Sequence, residues 1–145
     1  MSDFRRLSDS VLASPQIGMD DVIEARSLGV TLIINNRPDG EEVGQTEGAT
    51  IEKAARDAGL DYVAIPIGQG GFSEPQVNAM QEALAKTDGQ VLAYCRSGTR
   101  STLLWSLAQA SQGHSADEIA ARALAAGYDV SPIRPAMDML AAKSG

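Results

Sequence analysis

The chain has 145 residues, a formal net charge of −7 at pH 7 and a single cysteine, Cys95. This length suits one domain, spanning residues 1–145, with its own hydrophobic core. The negative charge argues against nucleic acid and anionic membranes as partners, because both are polyanions. A lone cysteine excludes an intramolecular disulfide and is typical of the reducing cytoplasm, where we expect the protein. No signal peptide is recognisable, and no apolar run approaches the ~20 residues of a membrane helix.

The first half of the chain predicts short strands alternating with helices. One or two strands are predicted over 4–13, a helix over 19–28, and a strand covered on both faces over 30–34. A polar loop at 35–40 and a helix over 47–58 follow. The apolar side of the first helix is predicted to comprise Met19, Val22, Ile23 and Ala25.

The second half continues this alternation. A strand is predicted over 60–67, and Ser73 with Gln76 forms a capping-box pattern that opens a helix. The Cys95 strand and its helix come next, followed by a helix opened by Ser115. Two further expectations are a final helix over 132–142 and an apolar face on the preceding helix comprising Ile119, Ala120, Ala123 and Leu124. Strand–helix alternation predicts a single α/β domain with a mainly parallel sheet and helices on both faces.

The stretch 91–105 combines a buried strand, a tight polar loop and a helix, with Cys95 at the junction. A helix start presents unpaired N–H groups and partial positive charge, which attract anions. Arg96 and Arg100 add full charges, so this position favours the thiolate, which is the nucleophilic form of cysteine. A lone cysteine after an apolar strand is more often a buried hydrophobe. The polar loop beside it instead favours an active residue.

The loop Cys95-Arg96-Ser97-Gly98-Thr99-Arg100 resembles the active-site loop of rhodanese sulfurtransferases, C-R-x-G-x-R. It is also similar to the cysteine phosphatase signature C-x-x-G-x-x-R-[ST], but is one residue shorter. With the stretches at 14–16, 36–42 and 65–67, the chain resembles the phosphatase-like domain family of beta-lactamase-hydrolase-like proteins. That resemblance implies a fold like that of dual-specificity phosphatases and a cysteine enzyme. Some family members are fused to persulfide-handling metallohydrolases, which makes such an enzyme a candidate partner.

Both departures from the phosphatase pattern favour sulfur transfer. In the phosphatases that this fold resembles, an aspartate after the preceding strand acts as general acid, whereas residues 68–73 contain no acid. A sulfurtransferase needs none, because Cys95 takes a sulfane sulfur from an anionic donor and passes it to a thiol acceptor. The alternative is a phosphatase acting through a phosphocysteine, and a third possibility is a non-catalytic anion or persulfide binder.

The predicted site has a core and a weaker rim. Cys95 and Arg100 are the candidate catalytic residues, and the anion cradle is expected to comprise Arg96, Ser97, Gly98, Thr99 and Ser101. Arg37, Asp39 and Gln69 could line the rim, although Arg37 is more readily explained as a brace paired with Asp39 or Glu41. The sequence predicts neither a metal site nor a cofactor.

Overall fold

The computed structural model describes residues 2–68 and 70–144. Its strands are β1 (Arg5–Arg6), β2 (Val11–Ser14), β3 (Val30–Asn35), β4 (Asp61–Ala64) and β5 (Gln90–Tyr94). Its α-helices are α1 (Met19–Ser27), α2 (Gly48–Asp57), α3 (Glu74–Ala85), α4 (Thr99–Ser111), α5 (Ala116–Ala125) and α6 (Arg134–Ser144). A short 3-10 helix, Ser131–Ile133, precedes α6.

The five strands form one sheet in the order β1-β2-β5-β3-β4. Only β1 runs antiparallel to its neighbour, and the other three pairings are parallel. Tyr94 lies opposite both Ser14 and Asn35, and Asn35 lies opposite Ala64. The loops that follow four strands therefore leave the sheet from one row of residues. This confirms the predicted mainly parallel sheet, and its central strand β5 leads directly into Cys95.

Apolar side chains cover both faces of the sheet, as predicted. One core cluster combines residues of α1 and α2 with Ile33 and Leu92, and a larger one combines residues of α3 to α6 with Ile34 and Ala93. Helix α4 lies at the centre of the larger cluster, and Leu104 and Trp105 on it are almost fully buried. The neighbours α3, α5 and α6 surround α4, which explains why its apolar residues exceed a single stripe.

Several expected details were wrong. In α1 only Val22 and Ala25 are buried, whereas Met19 and Ile23 are more than 60% exposed. On α5, Leu124 is likewise exposed. These small helices bury a narrow stripe, so apolar residues one position off that stripe face solvent.

The ends of two elements also differ from the expected bounds. Strand β4 ends at Ala64 rather than at residue 67, although the N–H groups of Ile65 and Ile67 still donate to the carbonyls of Asn35 and Asn36. Pro66 lies between them and lacks an N–H, which interrupts the ladder. The last helix is preceded by the 3-10 turn and extends to Ser144 rather than to residue 142. Within the described residues, no helix combines the length and apolar character needed to cross a membrane.

Candidate active site

Cys95 lies directly after β5 and is completely buried. The chain turns at Gly98, which adopts φ +91° and is the N-cap of α4. This turn brings the Gly98 N–H to 3.1 Å from Cys95 Sγ, to which it donates a hydrogen bond. The predicted order of strand, tight loop and helix is confirmed, and the sulfur lies at a helix start that can stabilise negative charge.

Arg100 lies one residue into α4 and is held by three hydrogen bonds. Its Nη1 donates to Glu41 Oε2 and to the carbonyl of Ile67, both at 2.7 Å, and its Nη2 donates to Glu41 Oε1 at 2.8 Å. The bonds with Glu41 raise the pKa of Arg100, partial burial opposes this shift, and nearby Cys95 adds to it. Three of the five guanidinium N–H groups are used here, and the remaining two lie on the Nε/Nη2 edge.

Glu41 joins Arg100 to a second arginine, because its Oε1 also accepts from Arg37 Nε at 2.9 Å. The bonds from Arg100 are the largest influence on this carboxyl, partial burial opposes them and Arg37 adds to them, lowering its pKa to about 2. Glu41 is therefore ionised at neutral pH. It is also the residue that the sequence analysis missed, having considered it only as a partner of Arg37.

Arg37 is a brace rather than a rim residue. Its side chain is only 2% exposed and donates to Glu41, to Glu42 at 3.0 Å and to Gln16 at 3.0 Å. Burial opposes its charge, but the bonds to Glu41 and Glu42 outweigh it and raise the pKa of Arg37. Asp39 does not join this group, because its Oδ1 accepts from the N–H of Gly48 at 2.8 Å. Gln69 lies outside the described residues.

The other cradle residues divide into exposed and buried positions. Arg96 is exposed, with Nη2 3.8 Å from Glu42 Oε2. Ser97 donates to the Thr99 hydroxyl at 2.9 Å, and both are exposed at the mouth of the loop. Ser101 is completely buried and donates to Asn36 Oδ1 at 2.8 Å. This hydrogen bond connects the first turn of α4 to the loop after β3.

The site offers a cysteine loop at a helix start, and among the described residues the carboxylate bonded to Arg100 is the ionised Glu41. Glu41 is ionised and paired, and Glu74, the first acid after β4, begins α3 at an exposed position. Among the described residues, no cluster of three or more His, Cys, Asp or Glu side chains could hold a metal ion. The arrangement suits nucleophilic attack by sulfur on an anion held by Arg100 and backbone N–H groups.

Residues 3–112 match the family model described as the phosphatase-like domain of beta-lactamase hydrolase-like proteins. A beta-lactamase hydrolase-like protein of Xylella fastidiosa is 37% identical over 125 residues, which are 86% of this chain and 29% of that protein. One from Agrobacterium fabrum is 35% identical over 108 residues, or 74% of this chain and 25% of its own length. The chain thus spans less than a third of the curated relatives it matches.

Solved phosphatase structures share this fold. A putative phosphatase from Neisseria meningitidis is 33% identical, with a TM-score of 0.85 over 97% of this chain and 99% of that one. A kinase associated phosphatase, studied with its catalytic site cysteine replaced by serine, is 16% identical, with a TM-score of 0.74 over 99% and 95% of the two chains. The second likeness concerns the fold alone. Together these neighbours confirm a cysteine-phosphatase fold.

Proposed function

The chain belongs to the family of the phosphatase-like domain of beta-lactamase hydrolase-like proteins, and from that premise we propose that it is a cysteine-dependent hydrolase of small phosphate esters. One observation carries the proposal: Cys95 Sγ accepts the N–H of Gly98 at 3.1 Å at the start of α4, with Arg100 fixed beside it. The phosphatase names of the family and of the Neisseria relative add support. They favour this reading, the alternative in the sequence analysis, over sulfur transfer.

In the proposed reaction the Cys95 thiolate attacks phosphorus, and the bond from phosphorus to the ester oxygen breaks. The leaving oxygen departs with the electron pair and a phosphocysteine remains. Water then attacks phosphorus, releasing phosphate and regenerating the thiolate. Arg100 would bind two phosphoryl oxygens through its Nε/Nη2 edge, which its bonds to Glu41 and Ile67 leave unused. Because Glu41 is ionised and Glu74 is exposed at the start of α3, the described residues supply no protonated acid for the leaving oxygen, and esters of acidic alcohols such as nitrophenol should react best.

Sulfur transfer is the second candidate, and a specific observation favours it. Only four residues separate Cys95 from Arg100, and the carboxylate on Arg100 is ionised. With thiosulfate, the Cys95 thiolate would attack the sulfane sulfur, the S–S bond would break and sulfite would leave with the electron pair. The persulfide would then pass its outer sulfur to an acceptor thiol. The complete burial of Cys95 also suits the transfer of a single sulfur atom, which is smaller than a phosphoryl group. A persulfide-handling metallohydrolase as acceptor partner stays a prediction.

One experiment separates these functions. The protein is incubated with p-nitrophenyl phosphate or with thiosulfate plus an acceptor thiol, turnover is recorded, and intact mass is measured during the reaction. Hydrolysis of the aryl phosphate that is lost in Cys95→Ser is the expected result. Persulfide formation with negligible phosphate release would overturn the hydrolase and establish the second candidate. Turnover of neither substrate would contradict both and favour an anion-binding module.

A further inference from the structure

Tyr128 contacts the Cys95 loop from beyond residue 112, where the match to the family model ends. It follows α5, is 7% exposed, and its hydroxyl donates to the carbonyl oxygen of Ser97 at 3.2 Å. Neither proposed reaction uses this residue. Its position is nevertheless informative, since Ser97 immediately precedes the glycine whose N–H reaches the sulfur.

The Ser97 carbonyl and the Gly98 N–H belong to one peptide group. A peptide group is planar, and in its trans form the C=O and N–H bonds point in opposite directions. The described residues contain no cis peptide bond. The hydroxyl of Tyr128 holds the oxygen end of this group, and Cys95 Sγ accepts from its nitrogen end at 3.1 Å. A contact that fixes the oxygen therefore also fixes the direction of the N–H toward the sulfur.

The same contact explains why residue 98 is glycine. Gly98 has φ +91°, which side-chain-bearing residues rarely adopt. A Cβ atom built there would lie 2.2 Å from Tyr128 Oη, far inside van der Waals contact. The tyrosine hydroxyl thus occupies the space that a side chain at position 98 would need. A residue with a side chain at this position would displace the Tyr128 hydroxyl from the Ser97 carbonyl.

Arg5 holds the tyrosine ring on the side of β1. Its guanidinium carbon lies 5.4 Å from the ring centroid, and its Nη1 donates to the carbonyl of Ala126 at 3.2 Å. A cation over the ring withdraws electron density and makes the hydroxyl a better donor. Burial raises the pKa of Tyr128 despite the opposing effect of Arg5, so the hydroxyl keeps its proton and can donate.

We propose that Tyr128 is a positioning residue that holds the Ser97–Gly98 peptide group and thereby keeps the Gly98 N–H directed at Cys95 Sγ, which favours the thiolate. Tyr128 acts only through this peptide and touches no substrate. A hydrogen bond donated to a carbonyl also polarises the peptide group and strengthens its N–H as a donor. The inference rests on the proposed role of Cys95 as a thiolate nucleophile.

The test is a spectroscopic titration of the single cysteine, which needs no substrate. The ultraviolet absorbance of the thiolate is followed against pH in wild type and in Tyr128→Phe, each as a difference from the same protein carrying Cys95→Ser. Phenylalanine keeps the ring and its packing but cannot donate to Ser97. The expected result is a pH midpoint higher by about half a unit to one unit, because part of a charge-assisted hydrogen bond is lost.

Tyr62→Phe is the matched control, since the Tyr62 hydroxyl is hydrogen-bonded to Asn35 and to Tyr94, which belong to β3 and β5 and not to the Cys95–Arg100 loop. Its midpoint should equal that of wild type. Arg5→Gln, which keeps the Tyr128 hydroxyl but removes the cation over its ring, should give a smaller upward shift and provides a second variant if Tyr128→Phe folds poorly. A midpoint unchanged in both Tyr128→Phe and Arg5→Gln would overturn the proposal, even if either variant melts at a lower temperature. Failure to turn over any substrate would instead count against the proposed function.

Discussion

Glu41 links the two arginines of the site, one buried and one beside the cysteine. Both carboxylate oxygens of Glu41 accept hydrogen bonds from Arg100, and one of them, Oε1, also accepts from Arg37 Nε. Bidentate pairing restricts the rotation of a guanidinium, so in the proposed reaction Arg100 would bind the substrate anion with its orientation already set. The binding of a substrate anion then needs no rearrangement of this side chain.

This geometry predicts that Arg100→Lys is not a conservative change. A lysine ammonium cannot accommodate Glu41, the Ile67 carbonyl and two substrate oxygens, because it has three N–H groups and no planar fork. We expect kcat/KM to fall about 10-fold or more, which corresponds to about 1.4 kcal/mol of transition-state stabilisation. Steady-state kinetics on whichever of p-nitrophenyl phosphate or thiosulfate the wild type turns over would measure this. Arg122→Lys, at an exposed ion pair with Glu118, is the control and should behave as wild type.

Glu41 also predicts a pH dependence of stability. Its pKa of about 2 in the folded protein lies below the ordinary value of 4.5, so the unfolded chain binds the proton more tightly. The contribution of the Glu41 carboxylate to the free energy of unfolding is therefore complete at pH values above 4.5, its pKa in the unfolded chain, and is lost as the pH falls toward about 2. Glu41→Gln should lower the free energy of unfolding by about 1–3 kcal/mol at pH 7. Denaturant titrations should show this difference shrinking steadily as the pH falls below 4.5.

The matched control for that measurement is Glu42→Gln. Glu42 is about half exposed and bonds to Arg37 but not to Arg100. Its effect on stability at pH 7 should be smaller than that of Glu41→Gln. A difference for Glu41→Gln that stayed constant from pH 6 to pH 2.5 would show that the carboxylate charge is not what stabilises the fold.

At the scale of elements, the junction between β5 and α4 determines the size of the anion site. Gly98 closes the loop as N-cap, its carbonyl accepts from the N–H and hydroxyl of Thr102, and Arg100 is placed by the first turn of the helix. Helix geometry fixes where Arg100 points once the helix has started. The number of residues between Cys95 and Arg100 therefore sets the width of the loop.

Loop length gives a prediction about the reaction. Inserting one glycine between Gly98 and Thr99 restores the C-x-x-G-x-x-R spacing and should widen the loop toward a phosphoryl group. We expect the ratio of aryl phosphate hydrolysis to thiosulfate turnover to rise about 10-fold or more, through loss of sulfur transfer and better orientation of phosphate. Both activities are measured on one preparation whose circular dichroism matches wild type. An unchanged ratio in the folded variant would mean that loop width does not select the group.

At the scale of the whole molecule, Arg37 ties together segments that are distant in the chain. Its side chain bonds the loop after β3 to Gln16, and the backbone N–H of Gln16 donates to the carbonyl of Arg96 at 3.2 Å. Glu41 extends this connection to α4 through Arg100. The loops after β2, β3 and β5 thus share one buried cation.

Removal of that cation should destabilise the entire fold. In Arg37→Met, Glu41 keeps Arg100 as a partner, but Glu41, Glu42 and Gln16 lose their hydrogen bonds to the buried guanidinium, so we expect a loss of about 1–3 kcal/mol in the free energy of unfolding. Arg56→Met removes an arginine from an exposed pair with Glu52 and should cost less than about 1 kcal/mol. Chemical denaturation of the three proteins tests this. Equal small losses in both variants would show that Arg37 is a dispensable surface brace.

Local patterns in the sequence were sufficient for the order of the elements and for the place of Cys95 between β5 and α4. Apolar runs, helix caps and glycine stops depend on neighbouring residues, and the capping box at Ser73 and Gln76 is present as expected. The same locality explains the prediction of Cys95 at the end of β5, because strand, loop and helix are consecutive in the chain. Errors arose where burial depends on distant elements, as at Met19 and Ile23.

Only the tertiary structure decided which residues support the cysteine. Glu41 meets Arg100 from 59 positions away, and Tyr128 meets Ser97 from 31 positions away. No periodicity or spacing in the sequence reports such pairs, because they form only when parallel strands bring their loops to one edge of the sheet. In the sequence, Glu41 lies in a polar loop and Tyr128 follows a helix, and neither position differs from that of an ordinary surface residue. Long-range packing converts them into partners of the active-site loop, since it supplies both the opposing charge and the burial that make their hydrogen bonds matter.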